Sequence, residues 1–201
     1  MNSIFITFII PTIGRYSLMY SIQSLINQDD DNWSAIIIGD GVKKIDFKDN
    51  RIKFIEIDKI DTNCGGIVRN IGFNYVENSE WIAFLDDDDR LTKDYISKLK
   101  YEINLNPSLD VCLFRMAYEN GSILPNKSIR NIIMGKVGIS FALKKNITEK
   151  FKFQNTLCED YFYLKELQRN NYKIIFSSYV TYFIRTIPFQ TEIYPKILIN
   201  F

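Results

Sequence analysis

The first half of the chain alternates short apolar runs with segments whose apolar residues recur at helical spacing. Five runs rich in β-branched and aromatic residues predict strands, most of them buried: residues 4–10, 34–41, 52–57, 81–85 and 111–116. Three segments between them predict helices: 17–28, 65–76 and 93–105. This rhythm predicts an α/β fold with a mostly parallel central sheet and helices on both faces. Ligands of such sheets bind beyond the carboxyl ends of the strands.

The second half of the chain is less regular. Residues 136–145 predict a strand, 158–172 a helix, and 173–185 one or two strands. The apolar face of that helix is expected to consist of Phe162, Leu164 and Leu167. Thr92 is a candidate cap for the helix over 93–105. We find no internal repeat and no low-complexity linker, so we expect a single domain over residues 1–201.

The amino-acid composition excludes several kinds of chemistry. The chain has no histidine, so Ser-His-Asp and Cys-His catalysis and imidazole-bound zinc are impossible within it. A general base would have to be Asp, Glu, Lys, Tyr or Cys. Cys64, Cys112 and Cys158 are far apart and form no Cys-x-x-Cys motif. We therefore expect small buried side chains in a reducing compartment, rather than disulfides or a zinc site.

The charge and the N-terminus give expectations about location. The formal net charge is +1, which predicts no overall attraction to nucleic acid or to anionic membranes. The N-terminal apolar run lacks a basic region and is interrupted by Pro11, so it predicts a first strand rather than a signal peptide. No run reaches the length of a membrane span. We therefore expect a cytoplasmic protein. Abundant Asn, Ile and Lys suggest an AT-rich genome, so we expect the cell to be a bacterium or a virus-infected host cell.

Four aspartates, Asp86 to Asp89, follow the strand 81–85 without a break. Two unit charges about 4 Å apart repel by about 4 kcal/mol at an effective dielectric of 20, so the turn either fans into water or holds a cation. An EF-hand is excluded, since Arg90 and Leu91 occupy the positions that need Asp or Asn and then Gly. A haloacid-dehalogenase-type phosphatase fits poorly because of Arg90 and the late position of the motif. A hard cation that holds a diphosphate remains.

Five motifs occur in order over residues 4–100: FIIPTIGR, SIQSLINQ, IIIGDG, GGIVRNIGF and WIAFLDDDD. Together they resemble the nucleotide-sugar-binding half of family 2 glycosyltransferases of GT-A fold. Further along, GKVGISFALKK and CEDYFYLKEL resemble the acceptor side of that family. The resemblance implies that residues from 1 to about 107 bind a nucleotide sugar and that residues from about 108 to 201 bind the acceptor.

The resemblance also implies a role for individual residues on the donor side. Asp88 would be the ligand of Mn²⁺ or Mg²⁺, Asp86 would touch the ribose or the metal, and Asp89 would stiffen the turn. Asp40 would accept a hydrogen bond from the base, although Gly-Asp-Gly departs from the usual motif here. Arg69 would face the diphosphate. The complete set of expected nucleotide-sugar contacts is Pro11, Thr12, Arg15, Asp40, Arg69, Asp86 and Asp87.

On the acceptor side, the resemblance implies that Asp160 is the general base of an inverting transfer, with Glu159 as the alternative. The aromatic residues 161–163 line either an acceptor pocket or the core. The expected donor is a UDP-sugar, and the acceptor is a glycan, a protein or a lipid. Two other hypotheses stay open: a nucleotidyltransferase, and a catalytically silent module that binds a sugar nucleotide. The residues also admit structural roles, such as a surface salt bridge for Arg69 and a favourable helix N-terminal charge for Asp160.

Overall fold

The computed structural model describes residues 4–62 and 64–184. Its strands are β1 (Ile6–Thr12), β2 (Trp33–Asp40), β3 (Ile52–Ile57), β4 (Trp81–Phe84), β5 (Arg90–Leu91), β6 (Val111–Tyr118), β7 (Ile123–Leu124), β8 (Phe141–Lys144) and β9 (Ile174–Ile184). Its helices are α1 (Leu18–Ile26), α2 (Gly66–Phe73), α3 (Tyr95–Leu105), α4 (Ile147–Lys150) and α5 (Glu159–Arg169). The strands and helices predicted for the first half are therefore present, with ends shifted by up to three residues.

The strands form one mixed sheet in the order β3-β2-β1-β4-β8-β6-β9-β5, and β7 pairs with β6. Strands β1 to β4 are mutually parallel. Strand β8 lies antiparallel between β4 and β6, and β6 is parallel to β9. The strands that share one direction are therefore β1, β2, β3, β4, β6 and β9. This arrangement confirms the prediction of a mostly parallel sheet.

Helices cover both faces of the sheet at β1. The ring of Phe8 lies 5.5 Å from that of Tyr95 in α3. Neighbouring strand residues point to opposite faces, and Ile9 packs against α2. A Cβ atom on Gly72 of α2 would lie 2.7 Å from Cγ2 of Ile9, closer than real contacts allow. Glycine at this position therefore lets α2 approach the sheet.

Strand β1 continues through Pro11 to Thr12, although the apolar run 4–10 predicts an end before the proline. Strand β4 pairs only with residues 6–9 of β1, so the sheet on that side has ended before Pro11. A proline has no amide hydrogen to donate, and a strand tolerates it where no partner strand needs that donor. The strand therefore carries Pro11 and Thr12 past the edge of β4, toward the acidic turn.

Helix α3 begins at Tyr95, and Thr92 does not cap it. The hydroxyl of Thr92 donates to Asp94 Oδ1 at 2.6 Å instead. The Oε1 atom of Gln28 accepts a hydrogen bond from the backbone N–H of Ile96 at 3.1 Å. Its Nε2 atom donates to the Thr92 carbonyl at 2.7 Å. A residue just beyond α1 thus satisfies the first turn of α3, so the prediction that Thr92 is the cap was wrong.

Two other predictions for the second half need correction. Only residues 141–144 of the predicted strand 136–145 form β8. In α5 the buried face consists of Tyr163, Leu164 and Leu167, so Tyr163 replaces Phe162. The Tyr163 ring stacks on that of Phe153 with 4.2 Å between centroids. Tyr163 thus belongs to the aromatic core.

Residues 174–184 form one continuous strand rather than two, with irregular pairing to β6, and Arg185 lies outside the described residues. The short elements β5, β7 and α4 were not predicted. Cys112 is buried as expected, but Cys64 is only partly buried and Cys158 is exposed. Within residues 4–62 and 64–184, even the longest helices, α3 and α5 with 11 residues each, are too short to cross a bilayer.

Candidate active site

A cleft of about 440 Å³ lies at the carboxyl ends of β1, β2 and β4. It is bounded by the loop after β1, the residues following β2, the start of α2 and the acidic turn after β4. The structure gathers the expected donor-side residues here: Pro11, Thr12, Arg15, Asp40, Arg69, Asp86, Asp87 and Asp88. Parallel strands deliver them together because their carboxyl ends share one edge of the sheet. We call this cavity the donor cleft.

Asp87 fastens the acidic turn to the loop after β1. Its Oδ2 atom accepts a hydrogen bond from the Thr12 hydroxyl at 2.7 Å, and its Oδ1 atom accepts one from Arg15 Nη1 at 2.6 Å. The same threonine oxygen accepts the backbone N–H of Gly14 at 3.0 Å. Burial raises the pKa of Asp87, while Thr12 and Arg15 oppose that rise. Thr12 and Asp87 thus hold the floor of the donor cleft.

The backbone of the acidic turn is held by two residues that the sequence analysis did not select. The buried hydroxyl of Ser21 donates to the carbonyl of Asp89 at 2.6 Å and lies 3.1 Å from that of Asp86. The backbone N–H of Asp86 donates to the hydroxyl of Tyr182 at 3.1 Å. Ser21 comes from α1 and Tyr182 from β9, so no local motif connects either of them to the turn.

The carboxylates of Asp86, Asp88 and Asp89 converge at the turn. One oxygen of each lies within 4.8 Å of the others. The side chain of Asp86 is 30% exposed and that of Asp88 is 15% exposed, so both can reach a solvated ion. An all-oxygen set of this kind suits Mg²⁺ or Mn²⁺. The residues therefore fit a divalent cation, with Asp89 as a third candidate ligand beside Asp88 and Asp86.

Arg69 connects the acidic turn to the start of α5. Its side chain is only 3% exposed, and its Nη1 atom donates to Glu159 Oε1 at 2.8 Å. Its Nη2 atom donates to Asp86 Oδ1. Burial alone would lower the pKa of Arg69, but Asp86 and then Glu159 raise it above its ordinary value. The surface salt bridge considered for Arg69 is thus a buried bridge between two carboxylates.

The glycines before Arg69 make room for this bridge. A Cβ atom on Gly66 would lie 2.9 Å from Cγ of Glu159 and 2.9 Å from Cβ of Phe153. Asn70 supports the same region, since its side chain donates to the Phe153 carbonyl at 2.8 Å and accepts the Phe153 N–H at 2.9 Å. The helix α2 therefore fixes the chain that leads into α5.

Asp40 lies at the far end of the donor cleft. Its Oδ2 atom accepts from Lys59 Nζ at 2.7 Å, and its Oδ1 atom accepts the backbone N–H of Ile60 at 2.7 Å. A carboxylate has about four acceptor positions, so Asp40 retains the capacity to accept a further hydrogen bond. Lys59 was not selected from the sequence, because a lysine in a polar loop carries no distinguishing pattern.

A second cleft, of about 390 Å³, adjoins the donor cleft and shares Arg69, Asp86, Asp88 and Glu159 with it. We call it the acceptor-side cleft. Its other lining residues are Asp89, Met116, Tyr118, Val137, Gly138, Ile139, Asp160 and Ile184. Burial raises the pKa of Asp160 to about 6, although its Oδ1 atom accepts the Tyr161 N–H at 2.7 Å. Asp160 and Glu159 thus differ, because Glu159 is paired with Arg69 while Asp160 lines only the second cleft.

The profile of the family described as glycosyl transferase family 2 matches residues 7–169. The chain belongs to this family. No curated protein matches it. The match runs from β1 through α5 and includes every residue that lines the two clefts except Ile184. It confirms the family that the sequence motifs indicated.

Solved structures of TarS from S. aureus share the fold of this family 2 member. TarS 1–349 has a TM-score of 0.72 at 18% identity, over 90% of this chain and 60% of that chain. The longer TarS structure also has a TM-score of 0.72 at 18% identity, over 92% of this chain and 37% of that chain. TarS 1–349 in complex with UDP-GlcNAc has a TM-score of 0.65 at 18% identity, over 90% and 58%. The chain therefore spans about 60% of TarS 1–349, and this likeness confirms the GT-A fold.

The raised pKa of Asp160 predicts a pH-dependent effect on stability. The folded state holds this proton up to about pH 6 but the unfolded state only to about pH 3.8, so stability decreases as pH rises between these values. Asp160→Asn removes the cost of an ionised buried carboxylate. We expect the variant to be more stable by about 1–2 kcal/mol at pH 7.5. The advantage should vanish at pH 4, as measured by urea unfolding at both pH values. Equal stabilisation at both would contradict the assignment.

Proposed function

We propose that this chain transfers a sugar from a nucleotide-diphosphate donor to an acceptor hydroxyl, with inversion at the anomeric carbon and with a bound divalent cation. The observation that carries the proposal is the pair of adjoining clefts. Asp86, Asp88 and Arg69 line both clefts, whereas Asp40 lines only the donor cleft and Asp160 only the acceptor-side cleft. A donor in the first cleft would present its anomeric carbon to an acceptor in the second.

The donor proposed is a UDP-sugar. TarS, which shares the fold, has been solved in complex with UDP and with UDP-GlcNAc. The free acceptor capacity of Asp40 suits the N3–H of uracil. Pro11 and Thr12 would border the nucleotide. Arg15 would add positive charge near the phosphates, since Nη1 lies 3.7 Å from Asp88 Oδ2.

Asp86, Asp88 and Asp89 would hold the cation, with Mn²⁺ and Mg²⁺ as candidates. When bound, it would offset the negative charge of the departing diphosphate. Arg69 adds a fixed positive charge on the same side, although its two carboxylate partners already share that charge. Activation of the acceptor hydroxyl, in contrast, depends on residues of the chain alone.

Asp160 would act as the general base. Its carboxylate takes the proton of the acceptor hydroxyl while that oxygen forms a bond to the anomeric carbon and the bond to the diphosphate breaks. One displacement of this kind inverts the anomeric configuration. A pKa of about 6 leaves Asp160 ionised at neutral pH yet more basic than an ordinary aspartate. Glu159 is the weaker candidate for the base because Arg69 neutralises it.

A donor screen tests the proposal. We expect UDP-sugars to release UDP in the presence of the chain, EDTA to abolish the release, and Mn²⁺ or Mg²⁺ to restore it. UDP with Mn²⁺ should raise the melting temperature by about 5–10 °C at saturating ligand. Full turnover in EDTA would exclude the role of the cation. UDP binding without any turnover would favour the silent binding module.

The cation site has its own matched test. Asp88→Asn should remove most of the Mn²⁺-dependent part of the melting shift, because it takes one anionic ligand from the cluster. Asp46→Asn removes the same charge from an exposed carboxylate outside the clefts, and it should leave the shift unchanged. If the two variants behaved alike, the cluster at the acidic turn would not be the cation site.

A further inference from the structure

The segment from residue 127 to 136, which we call the basic segment, carries positive charge without any acid. Its sequence is KSIRNIIMGK, and no Asp or Glu occurs between Glu119 and Glu149. Lys127, Arg130 and Lys136 are all exposed. Among the described residues, no carboxylate forms an ion pair with any of the three. The net charge of +1 therefore conceals a strongly basic local surface.

The basic segment also exposes large apolar side chains. Ile133 is 44% exposed and Met134 is 51% exposed, and both lie between the exposed cations Arg130 and Lys136. Their neighbour Ile132 is buried and anchors the segment. Apolar side chains flanked by cations are the pattern that inserts into the headgroup region of an anionic bilayer.

Arg115 fixes the base of the segment. It is buried in β6, and its Nη1 atom donates to the carbonyl oxygens of Pro125 and Asn126, the latter at 2.8 Å. Its Nε atom is buried and has no hydrogen-bond partner among the described residues. Burial, and then the charge of Arg130, lower the pKa of Arg115. The buried charge of Arg115 thus adds to the positive potential around Arg130.

The basic segment leads directly into the acceptor-side cleft. Val137, Gly138 and Ile139, which line that cleft, are the next residues along the chain. A surface bound by the basic segment would therefore lie beside the opening of this cleft. Met116 and Ile184 add apolar side chains to the lining of this cleft, which is compatible with a position next to such a surface.

We propose that the basic segment docks this protein onto an anionic lipid bilayer, with Ile133 and Met134 in the interface and Lys127, Arg130 and Lys136 on the headgroups. Docking would bring the acceptor-side cleft to the membrane surface, where it would meet an acceptor carried by a lipid. This last statement rests on the proposed function, whereas the docking itself does not. The exposed apolar pair favours a bilayer over a soluble anion, which would gain nothing from it.

Vesicle binding tests the charge. The full chain should sediment with vesicles of equal parts phosphatidylcholine and phosphatidylglycerol, and hardly at all with phosphatidylcholine alone. Lys127→Gln, Arg130→Gln and Lys136→Gln together should weaken binding at least tenfold, since each cation contributes roughly fivefold. The matched control carries Lys93→Gln, Lys150→Gln and Arg169→Gln, which neutralise three exposed cations elsewhere. If both triple variants lost vesicle binding equally, the binding would depend only on the net charge of the protein, and the proposal would be overturned.

A second pair of variants separates a bilayer from a soluble anion. Ile133→Ser with Met134→Ser should weaken vesicle binding roughly tenfold, because apolar surface no longer enters the interface. Tyr101→Ser with Leu105→Ser, which are exposed on α3, should not. Binding that survives the first pair, or that soluble glycerol phosphate displaces, would indicate a site for free anions and contradict docking.

The two proposals can fail separately. Release of UDP from a donor in water, without acceptor, depends on the donor cleft and should be unchanged in the variants of the basic segment. If a variant lost both the release of UDP and the binding to vesicles, it would be misfolded, and circular dichroism and the melting temperature would show this. Vesicle binding without turnover of any donor would refute the proposed function and leave the docking intact.

Discussion

Asp160→Asn is expected to reduce sugar transfer by roughly 10²–10⁴-fold, the usual contribution of a general base. The amide can neither accept the acceptor proton nor carry charge, but it keeps the size of the side chain. Binding of UDP should persist, because Asp160 lies in the acceptor-side cleft and not among the residues that line the donor cleft. Initial rates of transfer and calorimetric binding of UDP measure the two effects.

Two matched variants sharpen this test. Glu166→Gln changes a carboxylate on the same helix, outside both clefts, and should leave transfer unchanged. Glu159→Gln removes the alternative base. If it abolished transfer while Asp160→Asn retained it, the roles of these two residues would be reversed. In the wild type, the rate should decrease as pH falls through about 6, because Asp160 becomes protonated.

Arg69→Met is expected to destabilise the fold by about 2–4 kcal/mol and to abolish transfer. Removing one member of a buried charge group leaves the others uncompensated, which costs about 3–5 kcal/mol when burial is complete. Here Asp86 is partly exposed, so the expected cost is somewhat smaller. Urea unfolding at neutral pH measures it. The control is Lys98→Met, which breaks a partly exposed pair with Asp94 and should cost less than about 1 kcal/mol.

A double variant separates the ion pair from general damage to packing. When Glu159→Gln is added to Arg69→Met, part of the lost stability should return, because one of the unpaired charges is gone. Additive losses in the double variant would indicate that Arg69 matters only through its packing against Phe153, whose ring centroid lies 5.7 Å away.

The sequence predicts the first half of the fold well because local patterns decide it there. The apolar pattern of residues 52–57 predicts strand β3 with its observed bounds. The ends of β1, β2 and β4 bring Thr12, Asp40 and Asp86 to one cleft by topology. Sheets of this type impose that arrangement, so motifs scattered over eighty residues could be interpreted together.

The contacts that support the site could not be predicted in the same way. Ser21 and Tyr182 hold the acidic turn from α1 and β9, and a serine or tyrosine in a regular element gives no sign of such a partner. The side chain of Gln28 serves the first turn of α3, where a local rule favoured Thr92. Tyr163 rather than Phe162 lies in the core, where its ring stacks on Phe153. Hydrophobicity along the chain does not predict such a contact with a distant ring.

The position of Arg69 restricts how this enzyme family member could be recombined with others. The guanidinium is shared between a carboxylate that follows β4 and one at the start of α5. A chimera that joins the first half of this chain to a foreign second half would separate Arg69 from Glu159 and leave it paired with Asp86 alone. Successful exchange of segments therefore requires that Arg69, Asp86 and Glu159 be inherited as one unit.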